Sequence, residues 1–100
     1  MVDSKKITAL LGFASKAGRL SYGADAALKS VREKKARLIV IGSDVSDKSR
    51  KEAEFFAGKE NVRTLVLEEL DIAAVSAAVG RRCGILSVND SGFADAVLKA

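Results

Sequence analysis

Residues 18 to 29 read GRLSYGADAALK, and their types and spacing are those of an anion-binding turn. Gly23 permits a tight turn and the close approach of another backbone, and the helix start after it points unpaired amides outward. On a helical wheel, Asp25, Lys29 and Arg32 fall on one side, away from a stripe of Ala24, Ala27, Leu28 and Val31. Basic side chains would then flank a phosphate docked at the helix start, a geometry that suits RNA. The same residues allow a plainer reading, in which Asp25 and Lys29 form an i,i+4 pair in the acid-first order and simply support a solvated helix. The run Arg32, Glu33, Lys34, Lys35 and Arg37 is ambiguous in the same way, because the helix dipole favours cations near its C-terminus whatever they bind.

Most catalytic chemistry lacks its groups. Histidine is absent, so the usual general base is missing, and the single cysteine, Cys83, has no imidazole to make it a thiolate. One thiol without histidine excludes the common structural zinc sets, and neither GxxxxGK[ST] nor GxGxxG occurs. No enzyme activity, cofactor or metal is expected. The strongest enzyme-like feature is Ser43 and Asp44 after an apolar run, since open α/β sheets commonly hold ligands beyond the carboxyl ends of strands. A phosphoacceptor aspartate there needs further carboxylates around magnesium; otherwise Asp44 stabilises a turn or a helix start.

The elements that must position these residues follow from hydrophobic spacing. Ile7, Leu10, Leu11 and Ala14 recur at helical period over 4–17, with Asp3 or Ser4 as cap and Gly18 as stop. Residues 19–21 form a short edge strand before the helix that follows Gly23. Leu38 to Ile41, closed by Gly42, has the pattern of a strand covered on both faces. A helix over 46–58 turns Ala53, Phe56 and Ala57 to the core and leaves Lys48, Arg50, Lys51 and Glu54 in solvent. Strands at 62–67 and 83–88 bracket a small-residue helix marked by Leu70, Ala73, Ala74, Ala77 and Ala78 and ended by Gly80, and a last helix is capped by Asp90 or Ser91. This alternation predicts a three-layer α/β/α sandwich around a sheet of about four strands, with any antiparallel member at the edge.

The 100 residues contain no proline, 48% are apolar and 30% charged, so one folded domain over 1–100 is expected. Seventeen basic and thirteen acidic residues give a net charge of +4 and a pI near 9.4, which favours an anionic partner. A lone cysteine, no leader-like start and no apolar run approaching the ~20 residues of a membrane span suggest a cytoplasmic protein without membrane contact. Of the five aromatics, Phe13, Phe55, Phe56 and Phe93 have largely core-like positions. Tyr22, beside Gly23, offers either a stacking surface or a half-buried ring packed on the first helix.

The order LLGFASKAGRLSYGADAALKSVREKKARLIVIGSDVS, followed by AAVGRRCGILSVNDSGFA, resembles the large-subunit ribosomal protein seven-Ae and thirty-e superfamily, and within it the small bacterial YlxQ-like members. The resemblance covers nearly the whole chain. It implies an α/β/α domain with a four-stranded mixed sheet and a surface for structured RNA, ribosomal or otherwise non-coding, made by the second helix's start and two loops. Members that bind kink-turns carry G-x-N-E-x-x-K at that helix start. Here the motif falls on Gly23, Ala24, Asp25, Ala26, Ala27, Leu28 and Lys29: the glycine and lysine match, while Asn and Glu are replaced by Asp25 and Ala26. An ionised Asp25 accepts but cannot donate, and Ala26 has no polar group. In the loop after Gly80, kink-turn readers tend to present aliphatic residues, and this chain has Arg81 and Arg82, suited to phosphate, guanine or stacking. The loop from Gly42 to Val45 is the third implied contact. The expected RNA-binding set is Arg19, Gly23, Asp25, Lys29, Arg32, Arg81 and Arg82. The alternative is a protein-interaction module of the translation or transcription machinery that keeps the fold without specific RNA recognition, docking through its alanine-rich helix or its basic face.

Overall fold

The computed structural model describes residues 3–100. Five helices and four strands alternate: α1 (Ser4–Lys16), β1 (Leu20–Tyr22), α2 (Ala24–Arg32), β2 (Leu38–Gly42), α3 (Asp47–Lys59), β3 (Arg63–Leu67), α4 (Ile72–Val79), β4 (Ile85–Val88) and α5 (Ser91–Lys99). Four of the helices start on a side-chain oxygen that accepts a backbone N–H: Asp3, Ser46, Asp71 and Asp90. α2 starts on Gly23 and has no such bond.

The strands form one mixed sheet in the order β1-β4-β2-β3, with β2 and β3 parallel and β4 antiparallel to both its neighbours. The reversed strand therefore lies inside the sheet, contrary to the expectation that it would take an edge. The reason is the end at which the chain re-enters: Gly42 is opposite Leu67, and Ile41 is opposite Ile85. The chain leaves β3 and joins β4 at the same end of the sheet, so β4 has to run backwards.

Because β2 is buried at every position, its side chains feed two cores. Leu38 and Val40 meet Ile7 and Leu11 of α1, Val75 and Val79 of α4 and Val97 of α5 on one face, while Ile39 and Ile41 meet Ala27 and Val31 of α2 and Ala53 and Ala57 of α3 on the other. These are the three layers the alternation predicts.

Several faces differ from expectation. Phe56 is 42% exposed rather than core-facing, with Phe55 at 62% and Phe13 at 60%. The small side chains Ala53 and Ala57 fill α3's inward stripe, which leaves Phe56 on the flank and Phe55 outward. Ala24 is exposed at the first turn of α2, outside the buried stripe. On α4, Val75 and Val79 are buried while Ala73 and Ala77 face solvent. The edge strand is shifted by one residue to Leu20–Tyr22.

Candidate nucleic-acid interface

The end of the sheet where β2 and β3 finish and β4 begins also receives the start of α2, because the Gly23 N–H donates to the Ile85 carbonyl at 2.8 Å. Gly23 adopts φ 89° and ψ 161°, a conformation closed to residues with a Cβ, and no heavy atom lies within 4 Å of where its Cβ would be. Its surroundings are open space. Without a side-chain cap, the first-turn amides of α2 keep their donors and the positive end of the dipole for an outside partner. Asp25 and Lys29 are both exposed, and the ion pairs found among the described residues, Lys35–Glu33 and Arg50 with Asp47 and Glu54, do not include them.

Two loops flank this helix start. The turn from Gly80 to Gly84 is pinned by Ser76, whose hydroxyl accepts from the Cys83 N–H at 3.0 Å and donates to the Cys83 carbonyl at 3.2 Å. Tyr22 then fixes the direction of Arg81: the guanidinium carbon lies 4.7 Å from the ring centroid, and the phenol oxygen is 2.5 Å from the Ser15 hydroxyl, which in turn donates to the Val79 carbonyl at 2.8 Å. Tyr22 is thus half-buried against α1, as the plainer of its two readings had it, and it also orders the arginine loop. Arg82 is exposed beside it. Burial pushes the Cys83 thiol up, with the Gly23 backbone and Arg81 pulling more weakly the other way. At neutral pH it is therefore a thiol rather than a nucleophilic thiolate.

The second loop follows β2. The Gly42 N–H donates to the Gly84 carbonyl at 2.8 Å, the Ser43 N–H to the Leu70 carbonyl at 2.9 Å, and the Asp44 carboxylate accepts from the Ile72 N–H at 2.7 Å. Asp44 therefore caps the start of α4 across 28 residues of sequence, the helix-start role that was one of its two readings. Gly84 closes the junction: a Cβ there would lie 2.9 Å from side-chain carbons of both Ile72 and Val45. Between the loop and α2 sits a hollow of about 230 Å³ walled by Ala24, Val45, Ile72 and Ile85. Asp44→Ala is expected to lower the unfolding free energy by about 1 kcal/mol, and Asp44→Asn, which keeps an acceptor oxygen, by less. Urea unfolding measures both; an unchanged midpoint for the alanine variant would show that the bond adds nothing.

The remaining expected residues are divided by α2, which stands as a ridge. Lys29 and Arg19 line an open trough of about 680 Å³ between α2 and β1. Arg32 lines the groove on the other flank with Leu28, Phe56 and Lys59. The structure thus brings Gly23, Asp25, Arg81 and Arg82 to one end of the sheet and Lys29 with Arg19 into the adjoining trough, and it separates Arg32 from both. Ser15 and Ser76, which hold the arginine loop, went unnoticed in the sequence because a serine within a helix carries no signal of its distant partner.

Three kinds of comparison bear on this geometry. The model of the family described as ribosomal protein L7Ae/L30e/S12e/Gadd45 matches residues 5–97. RNA-binding protein YlxQ of Enterococcus faecium is 24% identical over 92 residues, covering 92% of this chain and 87% of its own length. Among solved structures, a protein of unknown function from Bacillus halodurans superposes with a TM-score of 0.88 at 23% identity over 94% of each chain. The Giardia lamblia 15.5kD RNA binding protein superposes with a TM-score of 0.77 at 19% identity, covering 96% of this chain and 82% of its own. With its α/β/α layers and four-stranded mixed sheet, the chain belongs to the ribosomal protein L7Ae/L30e/S12e/Gadd45 family.

Proposed function

We propose that this protein is a non-catalytic, cytoplasmic RNA-binding protein that recognises structured RNA, ribosomal or otherwise non-coding, by docking the start of α2 and its two flanking loops on a bent phosphate backbone. The observation that carries the reading is the uncapped, glycine-led start of α2, open to solvent and bordered by an arginine loop that Tyr22 and Ser76 hold in place. First-turn amides take a phosphate, Arg81 and Arg82 take neighbouring phosphates or a guanine edge, and Lys29 extends the contact along the helix flank. Asp25 accepts from a base amino group, which makes it a tuner of specificity rather than a source of affinity. The names of the Enterococcus faecium and Giardia lamblia relatives support RNA as the ligand class. No described helix is long and apolar enough to cross a membrane.

The test is a titration of a kink-turn RNA and a straight duplex of equal length with wild type and Lys29→Ala at two salt concentrations. Preferential, salt-sensitive binding to the kinked RNA is expected, with Lys29→Ala weakening it by about tenfold, as for loss of a charge-assisted contact. Equal binding to both RNAs, unchanged by the mutation, would sink specific recognition. It would favour a second reading, a protein-docking module of the ribosome or transcription machinery. The exposed Phe56, which lines a groove of about 260 Å³ with Leu28, and the exposed Phe55 next to it support this second reading better than α4, whose outward face offers only Ala73 and Ala77.

A further inference from the structure

The trough between α2 and β1 is lined by five cationic side chains, Arg19, Lys29, Lys34, Lys35 and Arg37, and by one acid, Glu33, whose carboxylate already lies 3.5 Å from the Lys35 ammonium. Those six residues carry the entire formal +4 of the chain, since the other twelve basic and twelve acidic residues cancel. The concavity therefore has a local formal charge of +4. Beyond Lys29, the trough lies toward the opposite end of the sheet from Gly23: the Asn89 N–H donates to the Arg19 carbonyl, and the Arg37 N–H to the Val88 carbonyl, both at 2.8 Å. Lys34 stands at the close of α2 with φ 62°, a left-handed position usual for glycine, so a lysine occupies it at a backbone cost.

We propose that this trough is a second phosphate-binding surface, which holds the backbone of an RNA double helix extending from the element recognised at the start of α2; the proposal rests on the reading of the chain as RNA-binding. The lining selects this ligand. No aromatic side chain borders the trough, so it offers nothing for unstacked bases to stack on. Its floor is polar and stiff: the Ser21 and Ser30 hydroxyls are 2.6 Å apart, and the Asn89 amide donates to the Ser21 hydroxyl at 2.9 Å while accepting from Ser87. The floor groups are paired with one another, so the rim of lysine and arginine supplies the contacts, and these suit phosphates, which a duplex displays regardless of sequence.

The experiment uses a straight RNA duplex of about 16 base pairs as probe, a length suited to shape-based contacts across a duplex. Its affinity is measured against salt for wild type, for Lys34→Gln/Lys35→Gln/Arg37→Gln, and for a control of equal charge change on α3, Lys48→Gln/Lys51→Gln/Lys59→Gln. Loss of about three phosphate contacts should reduce the slope of log K against log salt by about 2 to 3 in the trough variant and by less than about 1 in the control. Equal reductions in the two variants, or none, overturn the proposal, because the charge would then act diffusely or not at all. Preference for a kink-turn RNA over this duplex is scored in the same three proteins and reads the α2 start separately. Loss of that preference with the trough effect intact removes the proposed recognition alone, and wild-type protein that binds neither RNA removes both.

Discussion

Gly23→Val is expected to lower the unfolding free energy by about 3 kcal/mol, the upper range for forcing a side chain into a glycine-only backbone region, and thereby to reduce the melting temperature by roughly 15 °C. The cause is conformational rather than steric, because a Cβ at this position would meet nothing within 4 Å. Any residue with a Cβ should therefore be penalised, and Gly23→Ala should retain most of the effect. If the chain escapes the strain by rotating about Gly23, the N–H bond to Ile85 is broken and the first-turn amides of α2 no longer point where the two loops converge. RNA affinity should then fall by more than about tenfold under conditions where the variant is still folded. Gly58→Ala is the matched contrast. It also introduces a Cβ into open space, but within α3 and without a positive φ, and should stabilise by about 0.5 to 1 kcal/mol. Thermal unfolding of the three variants decides the matter: similar shifts for Gly23 and Gly58 would mean that the backbone at Gly23 is not strained.

Tyr22→Ala is expected to have the next largest effect, a loss of about 2 to 3 kcal/mol of stability, since it removes a half-buried ring and its hydroxyl contact with Ser15. Tyr22→Phe keeps the ring under Arg81 and should cost only about 1 kcal/mol. The two variants separate packing from function. Without the ring, Arg81 loses the contact that orients it, and RNA affinity should fall by roughly fivefold, the equivalent of about 1 kcal/mol of cation–π ordering, whereas Tyr22→Phe should bind as wild type does. In a double-mutant cycle with Arg81→Ala, the two losses should be clearly less than additive. Full additivity would mean that Tyr22 and Arg81 act independently, and the ring would then have no part in positioning the loop.

The features legible in the sequence are those set by neighbours within a few residues. The α1 spacing with Asp3 ahead of it, the unbroken apolar run at 38–41 and the α2 stripe of Ala24, Ala27, Leu28 and Val31 each declare their element locally, and all three elements are found in the structure, with Ala24 exposed and Leu28 half-buried in the α2 stripe. What depends on distant partners was hidden. The expectation that α3 turns Phe56 to the core together with Ala53 and Ala57 fails at Phe56, because only the closeness of the sheet selects the smaller residues. The internal position of β4 follows from the end at which the chain re-enters the sheet, which no local pattern encodes. Asp44 was open between chemistry and capping until its partner, the Ile72 N–H, was in view. The candidate site is similar: Gly23, Lys29 and the two arginines stand out by type, but the stack of Arg81 on Tyr22 and the pinning of Cys83 by Ser76 are facts of tertiary structure. The trough shows the same limit in reverse. Arg19 and the 34–37 cluster are separated along the chain, and their shared concavity appears only when β1 lies beside α2.

The junction at Gly84, where the space for a side chain is already taken by Ile72 and Val45, leaves the two loops and the helix start little freedom relative to one another. A receptor built this way contributes little backbone ordering entropy to association, so the larger conformational rearrangement falls on the other molecule. If the RNA is recognised in a bent form, as proposed, that form must be populated before or during docking, and the apparent dissociation constant is the intrinsic one divided by the bent fraction. Magnesium or any base change that pre-bends the RNA would then tighten the complex without altering a single contact made by the protein.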